Sequence, residues 1–370
     1  MTTAALVDRI RNARSSRTAV RVTGAGTWLD AGRACAATDA VQPDRGIVTY
    51  EPGDFVLTAR AGTSLEEIRA VTSGEGQWLT LDPHGSASGT LGATVATASW
   101  GPLASAYGTP RDHVLGCEFV TGAGAVVNAG GRVVKNVAGF DLVRLLTGAW
   151  GTVGILAELT VRLRSRPEQD VTMAIAAQSP TAARAWVASS VYTPLAAELL
   201  SPALAARVTG SASANLLLRI GGNTPLVTAM GDSARQLGES VALDAGVWAA
   251  LAGLEPQGAL TFRLSTLPSN IGPLWARAVE LTEMFGGVAH ATITRGVVRC
   301  VIPPCDEAGM KRLAVALTAI AAGATCIGER LPAALWPIAS RARTTDALSL
   351  AVRRAFDPDR ILNPGILGAP

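Results

Sequence analysis

A chain of 370 residues, 48% hydrophobic and 16% charged, is long for a single core and has enough apolar material for two or three domains. Its net charge is only +3, its basic residues are scattered and aromatics make up 5%, a composition without a nucleic-acid footprint. The N-terminus MTTAALVDRIRNARSS lacks the apolar centre of a signal peptide and no uncharged stretch reads as a membrane span, so a soluble cytoplasmic chain is expected.

The first 60 residues read as short β–α–β units. Ala19–Val22 is a predicted strand entering Thr23-Gly24-Ala25-Gly26-Thr27, and Phe55–Ala61 is a second one after the turn Glu51-Pro52-Gly53-Asp54. A glycine turn directly after a strand exposes successive N–H groups that suit phosphate oxygens, and it equally makes an ordinary tight turn. The third glycine of a dinucleotide fingerprint would fall on Leu29, which excludes a Rossmann unit. Ser64-Leu65-Glu66-Glu67 is a capping box that opens a helix.

From Leu79 to Arg164 glycine punctuates the strands. In the uncharged stretch Pro83–Pro102, Gly89-Thr90-Leu91-Gly92-Ala93 either presents N–H groups and a hydroxyl to a polar ligand or starts a tightly packed helix. His84 reads as a structural hydrogen-bonder rather than a base, and Arg111–Asp112 as a salt bridge pinning a turn. Cys117–Thr121, Val126–Ala129 and Arg132–Val134 form a predicted hairpin meander, and Ile155–Leu163 a closing strand. Just before that strand Gly148, Gly151 and Gly154 stand at three-residue spacing, downstream of Lys135, one of only two lysines. Something must approach the main chain closely there.

The region after Pro167 differs in composition. Predicted strands at Val171–Ala176, Asn215–Ile220, Ala259–Leu264 and Val297–Ile302, with helical patterns at Ala182–Ser190 and Leu274–Phe285, imply an α+β sheet covered on one face. Among Arg295, Arg299, Glu329, Arg330, Arg341 and Arg343, the arginines offer bidentate carboxylate binding, with solvated faces as the competing reading. Thr344/Thr345 is expected to cap a last helix with Leu348, Val352 and Phe356 on one face. Five cysteines form no CxxC, and His84, His113 and His290 never stand at metal-ligand spacing. Reduced thiols, no iron–sulfur cluster and no metal site are therefore expected, and there is no GxSxG, Walker loop or cysteine-nucleophile signature.

Taken in order, TGAGT, GTLGATVAT, YGTPRDHVLG, GGRVVKNVAGFDLVRLLTGAWGTVGILAELTVRL and FDPDRILNPG resemble the vanillyl-alcohol-oxidase/PCMH-type FAD-binding family, and within it the FAD-binding subunits of bacterial glycolate oxidases. The resemblance covers residues 15–167 and the C-terminal 20 residues well and the middle loosely. It implies an α+β chain: a two-subdomain FAD-binding domain over 1–167, an α+β cap over 168–335 and a segment 336–370 returning to pack on the FAD domain. FAD would be held non-covalently, since the TGAGT turn has no histidine or cysteine. Thr23, Gly24, Ala25, Gly26 and Thr27 would take the pyrophosphate. Gly89, Thr90, Gly92 and Ala93 would line the ribityl and flavin, with Tyr107 and Gly108 nearby. The backbone of Gly151, Thr152, Gly154 and Ile155 would run along the cofactor, and Asn363 would reach the flavin.

The catalytic hydroxy-acid dehydrogenases of the family carry paired cap histidines on a metal, whereas this cap has only His290. That departure points to a companion subunit, with a catalytic flavin subunit and an iron–sulfur subunit as partners, a small 2-hydroxy acid such as glycolate as substrate, and membrane contact only through the complex. The catalytic base is not identified; His290 and Glu329 are the best remaining candidates, and neither sits in a motif pairing it with a second polar group. Two other readings stand beside this one: a self-sufficient FAD oxidase or dehydrogenase using cap arginines and Glu329, and a scaffolding subunit without flavin.

Overall fold

The computed structural model describes residues 1–37, 39–131, 140–213, 215–339 and 346–368. Two compact units emerge, one of residues 1–101, 108–166 and 342–370, the other of 102–107 and 167–341.

The first unit opens with the helix Thr3–Ser16, capped by Thr2 and ended by Arg17 at φ 54°, which buries Leu6, Val7, Ile10 and Ala13 along one stripe. The strands Val20–Val22 and Asp39–Val41 pair in parallel, and no described helix joins them, so the expected β–α–β unit lacks its helix. A five-stranded antiparallel sheet follows, in the order Ile47–Glu51, Val56–Arg60, Gly154–Arg162, Val114–Thr121, Val126–Gly130. Gly154–Arg162 lies at its centre. Ile155 and Ala157 join the first helix in one apolar cluster, while Leu156, Leu159 and Val161 join Leu57, Ile68, Leu91 and Phe119 in another. Ser64 caps the helix Leu65–Ser73 by accepting from Glu67 N at 3.0 Å, as its sequence predicts. The proposed strand Arg132–Val134 and Lys135 lie outside the described residues.

The C-terminal segment corrects two expectations. Asp346 caps the last helix, Ala347–Phe356, accepting from Ser349 N, whereas Thr344 and Thr345 lie outside the described residues. Leu348 is 74% exposed, so only the later part of the apolar stripe is used: Phe356 packs on Phe119 with ring centroids 6.1 Å apart.

The second unit holds an eight-stranded sheet, every pairing antiparallel, in the order Ser240–Leu243, Gln169–Ile175, Leu216–Gly222, Ala196–Leu200, Val288–Thr292, Val297–Ile302, Leu260–Ser265, Thr325–Arg330. Four helices, Pro180–Ser189, Thr224–Arg235, Ile271–Met284 and Glu307–Ala321, pack with Ile175, Leu199, Leu218 and Phe262 in its largest core. Helices Pro202–Thr209 and Gly246–Ala252 cover part of the other face, with Ala174, Leu200 and Leu217 beneath them. Both faces therefore carry helices, because these strands alternate Leu and Ala on the face assumed to be open. The five cysteines are free, and burial pushes the Cys117 and Cys326 thiols up to about 12.

One buried group in the first unit gives a stability signature. His113 is 2% exposed, with Nδ1 3.4 Å from Thr80 Oγ1. Burial drives its pKa down from 6.5 to about 4, with Arg164 acting the same way and Asp112 opposing both. Between those values the unfolded chain binds the extra proton, so stability falls as the pH drops from 6.5 towards 4. We expect His113→Gln to flatten the fall of the urea midpoint across that window; an unchanged slope would mean that the folded ring is already protonated.

Candidate functional site

A cleft open to solvent lies within the first unit. It is walled by the loop after Val20–Val22, the start of the helix Leu91–Thr97, the Trp150–Leu156 turn and strand, and the C-terminal segment.

The C-terminal segment is what assembles these walls. Asp357, fully buried at the end of the last helix, accepts from Ile361 N at 3.1 Å and Leu362 N at 3.0 Å; burial pushes its pKa up against those two bonds. The turn so formed lays the chain beside Val20: Val20 N donates to Ile361 O at 2.7 Å and Asn363 N to Val20 O at 2.9 Å. Asn363, at φ 44° and 2% exposed, then bridges the cleft. Its Oδ1 accepts from Val22 N at 2.7 Å, and its Nδ2 donates to Trp150 O at 2.6 Å. A Cβ on Gly151 (φ +70°) would stand 2.8 Å from that Nδ2, so glycine is required there. The FDPDRILNPG motif is thus a built latch.

The loop Thr23–Thr27 forms one wall. Thr23 N is spent on Val41 O, but among the described residues the N–H groups of Gly24, Ala25, Gly26 and Thr27 donate to no protein acceptor. Gly26 holds φ +76°. A Cβ on Gly24 would overlap Thr90 Oγ1, so the loop rests directly on the helix start. Arg21, also lining the cleft, donates from Nη2 to Leu29 O and closes the loop on itself.

Of the residues anticipated from sequence, Thr23 to Thr27, Thr90, Gly92, Ala93, Gly151, Gly154 and Asn363 line the cleft. Gly89, Tyr107, Gly108, Thr152 and Ile155 do not. Gly89 N closes a turn onto Ser86 O, and Thr152 Oγ1 closes another onto Ala149 O. Ile155 is core. Gly108 (φ +89°) makes room for the Asp112 carboxylate, which accepts from Thr109 N at 2.7 Å, and Tyr107 belongs to the second unit. That capping interaction pins the turn more closely than Arg111–Asp112, which stand 3.8 Å apart. The helix start at Thr90 offers few donors: Leu91 N and Gly92 N donate to Thr63 O and Ala61 O, and Ala93 N to Thr90 Oγ1. Gly92 is glycine because its Cβ would stand 2.7 Å from Ala61 Cβ, the tightly packed alternative. Asn363 acts as a clamp, with its acceptor and one donor already engaged. At Gly154 the room is taken by Phe119, 2.6 Å from an added Cβ.

Sequence reasoning missed Arg21, Trp28 and Trp150. The two indoles line the cleft and stack with centroids 5.9 Å apart at 21°.

A second polar cluster lies in the second unit. Strand register sets His290 opposite Arg299 and Arg299 opposite Arg263. His290 Nδ1 is 2.7 Å from Glu198 Oε2; Glu329 accepts from Arg299 Nε at 3.0 Å and is ion-paired with Arg263, whose Nε stands 2.9 Å from Oε1; Glu255 pairs with Arg299 and Arg330. Burial alone would raise the pKa of Glu329, yet Arg299 and Arg263 overcome it and hold the carboxylate ionised. Arg299, Glu329 and Arg330 are thus ion-paired in the interior rather than on a solvated face. His290 and Glu329 do have polar partners, hidden from sequence by separations of 92 and 30 residues. Glu198, in the otherwise apolar strand AAELL, was the available signal. Arg295 donates from Nη1 to Ala104 O at 3.1 Å, whereas Arg341 and Arg343 lie outside the described residues. Among the described residues no group of side chains is arranged to hold a metal, and no helix is long and apolar enough to cross a membrane.

Residues 1–130 match the family model of the FAD binding domain. This part of the chain is an FAD-binding domain. Glycolate oxidase subunit GlcE of Escherichia coli (strain K12) is 38% identical over 171 residues, 46% of this chain and 49% of that protein. Glycolate oxidase subunit GlcD of Bacillus subtilis (strain 168) is 36% identical over 128 residues, 34% and 27% of the respective chains. The D-lactate dehydrogenase of Archaeoglobus fulgidus is 32% identical over 162 residues, 41% and 34%. The chain thus spans about half the length, or less, of these curated relatives. In fold it resembles alkyldihydroxyacetonephosphate synthase, with TM-score 0.69 at 15% identity, over 97% of this chain and 74% of that one. The cleft fits the cofactor of this domain type: a wall of unspent N–H groups for phosphate, one cation and an aromatic pair.

Loss of the latch should loosen the unit measurably. Asn363→Ala leaves Val22 N–H and Trp150 C=O unpaired and should lower unfolding stability by about 1–3 kcal/mol, read from urea titration. A shift under a few tenths would mean that water replaces the amide without cost.

Proposed function

We propose that this chain is the FAD-containing subunit of a glycolate-oxidase-like complex that oxidises a small 2-hydroxy acid and passes electrons to an iron–sulfur partner. The observation that carries the reading is the Thr23–Thr27 loop, whose unspent N–H groups line a cleft in a unit matched to FAD-binding domains. Likeness to a glycolate oxidase subunit supplies the substrate class and the multi-subunit setting.

When bound, FAD supplies the hydride acceptor and the electron relay. The protein's part is positioning. Gly24, Ala25, Gly26 and Thr27 orient main-chain dipoles at the pyrophosphate, and Arg21 adds a cation beside it. Asn363 fixes the Trp150–Gly151 turn against Val22, keeping the opposite wall at a set distance. Among the described residues lining the cleft there is no histidine or cysteine, which supports a non-covalently held cofactor.

The purified chain should be yellow and release all its flavin on acid precipitation. Gly26→Val puts a β-branched residue at φ +76°, which turns the loop's N–H groups away, and should abolish flavin retention in a folded protein. Full occupancy in that variant would remove the loop from the binding site.

A second reading, a self-sufficient hydroxy-acid dehydrogenase, draws on one observation. His290–Glu198 supplies a paired imidazole next to Arg299, whose Nη1 has no partner among the described residues, so a base and a carboxylate anchor share one register. Against it, Glu329 and Glu255 already occupy the arginines of that cluster. We therefore expect anaerobic glycolate to leave the flavin of the isolated chain oxidised, with bleaching only after a partner flavin subunit is added. Rapid bleaching in the single chain would promote the second reading.

A further inference from the structure

The stacked indoles Trp28 and Trp150 both line the cleft. Trp28 directly follows the loop with the unspent N–H groups and is only half-buried. Trp150 sits in left-handed backbone at φ +53°, a conformation uncommon for a bulky side chain and kept where the surroundings impose it. Three neighbours do so. Trp150 N donates to Ala96 O at 2.8 Å, and its carbonyl accepts from Asn363 Nδ2 at 2.6 Å. Gly32, at φ +79°, provides the ring's berth: a Cβ there would stand 3.0 Å from Trp150 Cζ3 and 2.9 Å from Ile366 Cγ1. These contacts fix the Trp150 indole in place, and it stands against Trp28 at 5.9 Å and 21° in a cleft wall.

We propose that the Trp28–Trp150 pair is a stacking platform for one planar heteroaromatic ring of the cofactor, set beside the loop that takes its phosphates. The inference rests on the FAD reading of the cleft. Two large π-faces held nearly parallel by their neighbours present an aromatic surface whose ordering cost is already met in the folded chain. FAD offers two rings of that chemistry, adenine and isoalloxazine, at opposite ends of the pyrophosphate. The platform is adjacent to the phosphate loop, so either end is within reach, and partial ligands separate them.

The test measures dissociation constants for FAD, ADP and FMN by calorimetry on the full chain stripped of flavin, in wild type, Trp28→Leu and Trp28→Phe. Trp28→Leu keeps apolar bulk without the indole face, and Trp28→Phe restores a smaller aromatic one. Both leave Trp150 and its strained backbone in place. Circular dichroism of each ligand-free variant reports folding and the exciton couplet of the stacked indoles, which both variants should lose. We expect Trp28→Leu to weaken FAD about tenfold and Trp28→Phe about threefold. A parallel loss for ADP with FMN unchanged assigns the platform to adenine; the converse assigns it to isoalloxazine. Equal FAD affinity in wild type and both variants overturns the platform while leaving the FAD reading intact. A wild-type chain that binds none of the three ligands overturns the FAD reading, and the platform with it.

Discussion

The side-chain amide of Asn363 accepts from a strand and donates to a turn that lie 341 and 213 residues away along the chain. The position needs an acceptor and a donor on one short planar group, which Asp and Leu both fail to provide. It also needs a residue at home at φ 44°, where Asn is among the few tolerated. Other identities follow from that single amide. Gly151 has no Cβ because the amide occupies its space, Trp150 is pulled into left-handed backbone with its carbonyl aimed at Nδ2, and Val22 ends its strand with its N–H turned to Oδ1. Asp357 serves the same end from behind, since its two main-chain bonds shape the turn that delivers Asn363. The last residues of the chain thereby hold the walls near Val22 and Trp150 to each other.

How far these features were legible depended on whether their cause is local. The strand at Val297–Ile302, the cap at Ser64 and the hairpin through Val126 follow from alternation and turn chemistry within a few residues, and they stand where the pattern puts them. The loop Thr23–Thr27 and Asn363 were also legible as places, because a glycine turn after a strand and an NPG ending are short motifs. The clamp that Asn363 makes between Val22 and Trp150 was not. Gly151, Gly154 and Gly92 invite the idea that a ligand approaches the main chain, yet the approaching groups are Asn363, Phe119 and Ala61. Sequence shows that space is needed and cannot show what fills it. The helix Thr3–Ser16 escaped notice because its stripe is interrupted by charges, and the strands Ala196–Leu200 and Val288–Thr292 because alanine carries little strand signal.

The buried charges of the second unit follow a different logic. Arg263, Arg299 and Arg330 meet Glu255 and Glu329 with little solvent, and such a set is neutral-to-costly against an apolar core while being strongly dependent on each member. Removing Arg299 alone would leave Glu329 with only Arg263 and Glu255 with only Arg330, each buried carboxylate short of one cation, whereas replacing the whole set by apolar residues would leave no charge unpaired. That asymmetry makes the cluster a poor source of stability and a firm selector of register, since a one-residue slip of Val297–Ile302 would carry Arg299 into the apolar face with Phe262 and Cys300. The apolar strands around Glu198 and Arg299 therefore need their charges to settle which face is which.

The two polar assemblies differ in how they are satisfied, and this bears on where a ligand is accepted. In the second unit the donors and acceptors are side chains largely closed on one another, so an anion entering there must compete with carboxylates already seated on the arginines. In the first unit the unspent groups are main-chain N–H groups on an exposed loop, where water satisfies them at little cost. The loop accepts an anion in exchange for water alone. Its geometry is held by Gly26 at φ +76°, by the contact of Gly24 with Thr90 and by the bond from Arg21 to Leu29, none of which a ligand needs to break. A cradle whose shape those contacts hold, next to a stacked aromatic pair, has part of the ordering cost of binding met in advance, which the closed ion-pair cluster of the second unit does not offer.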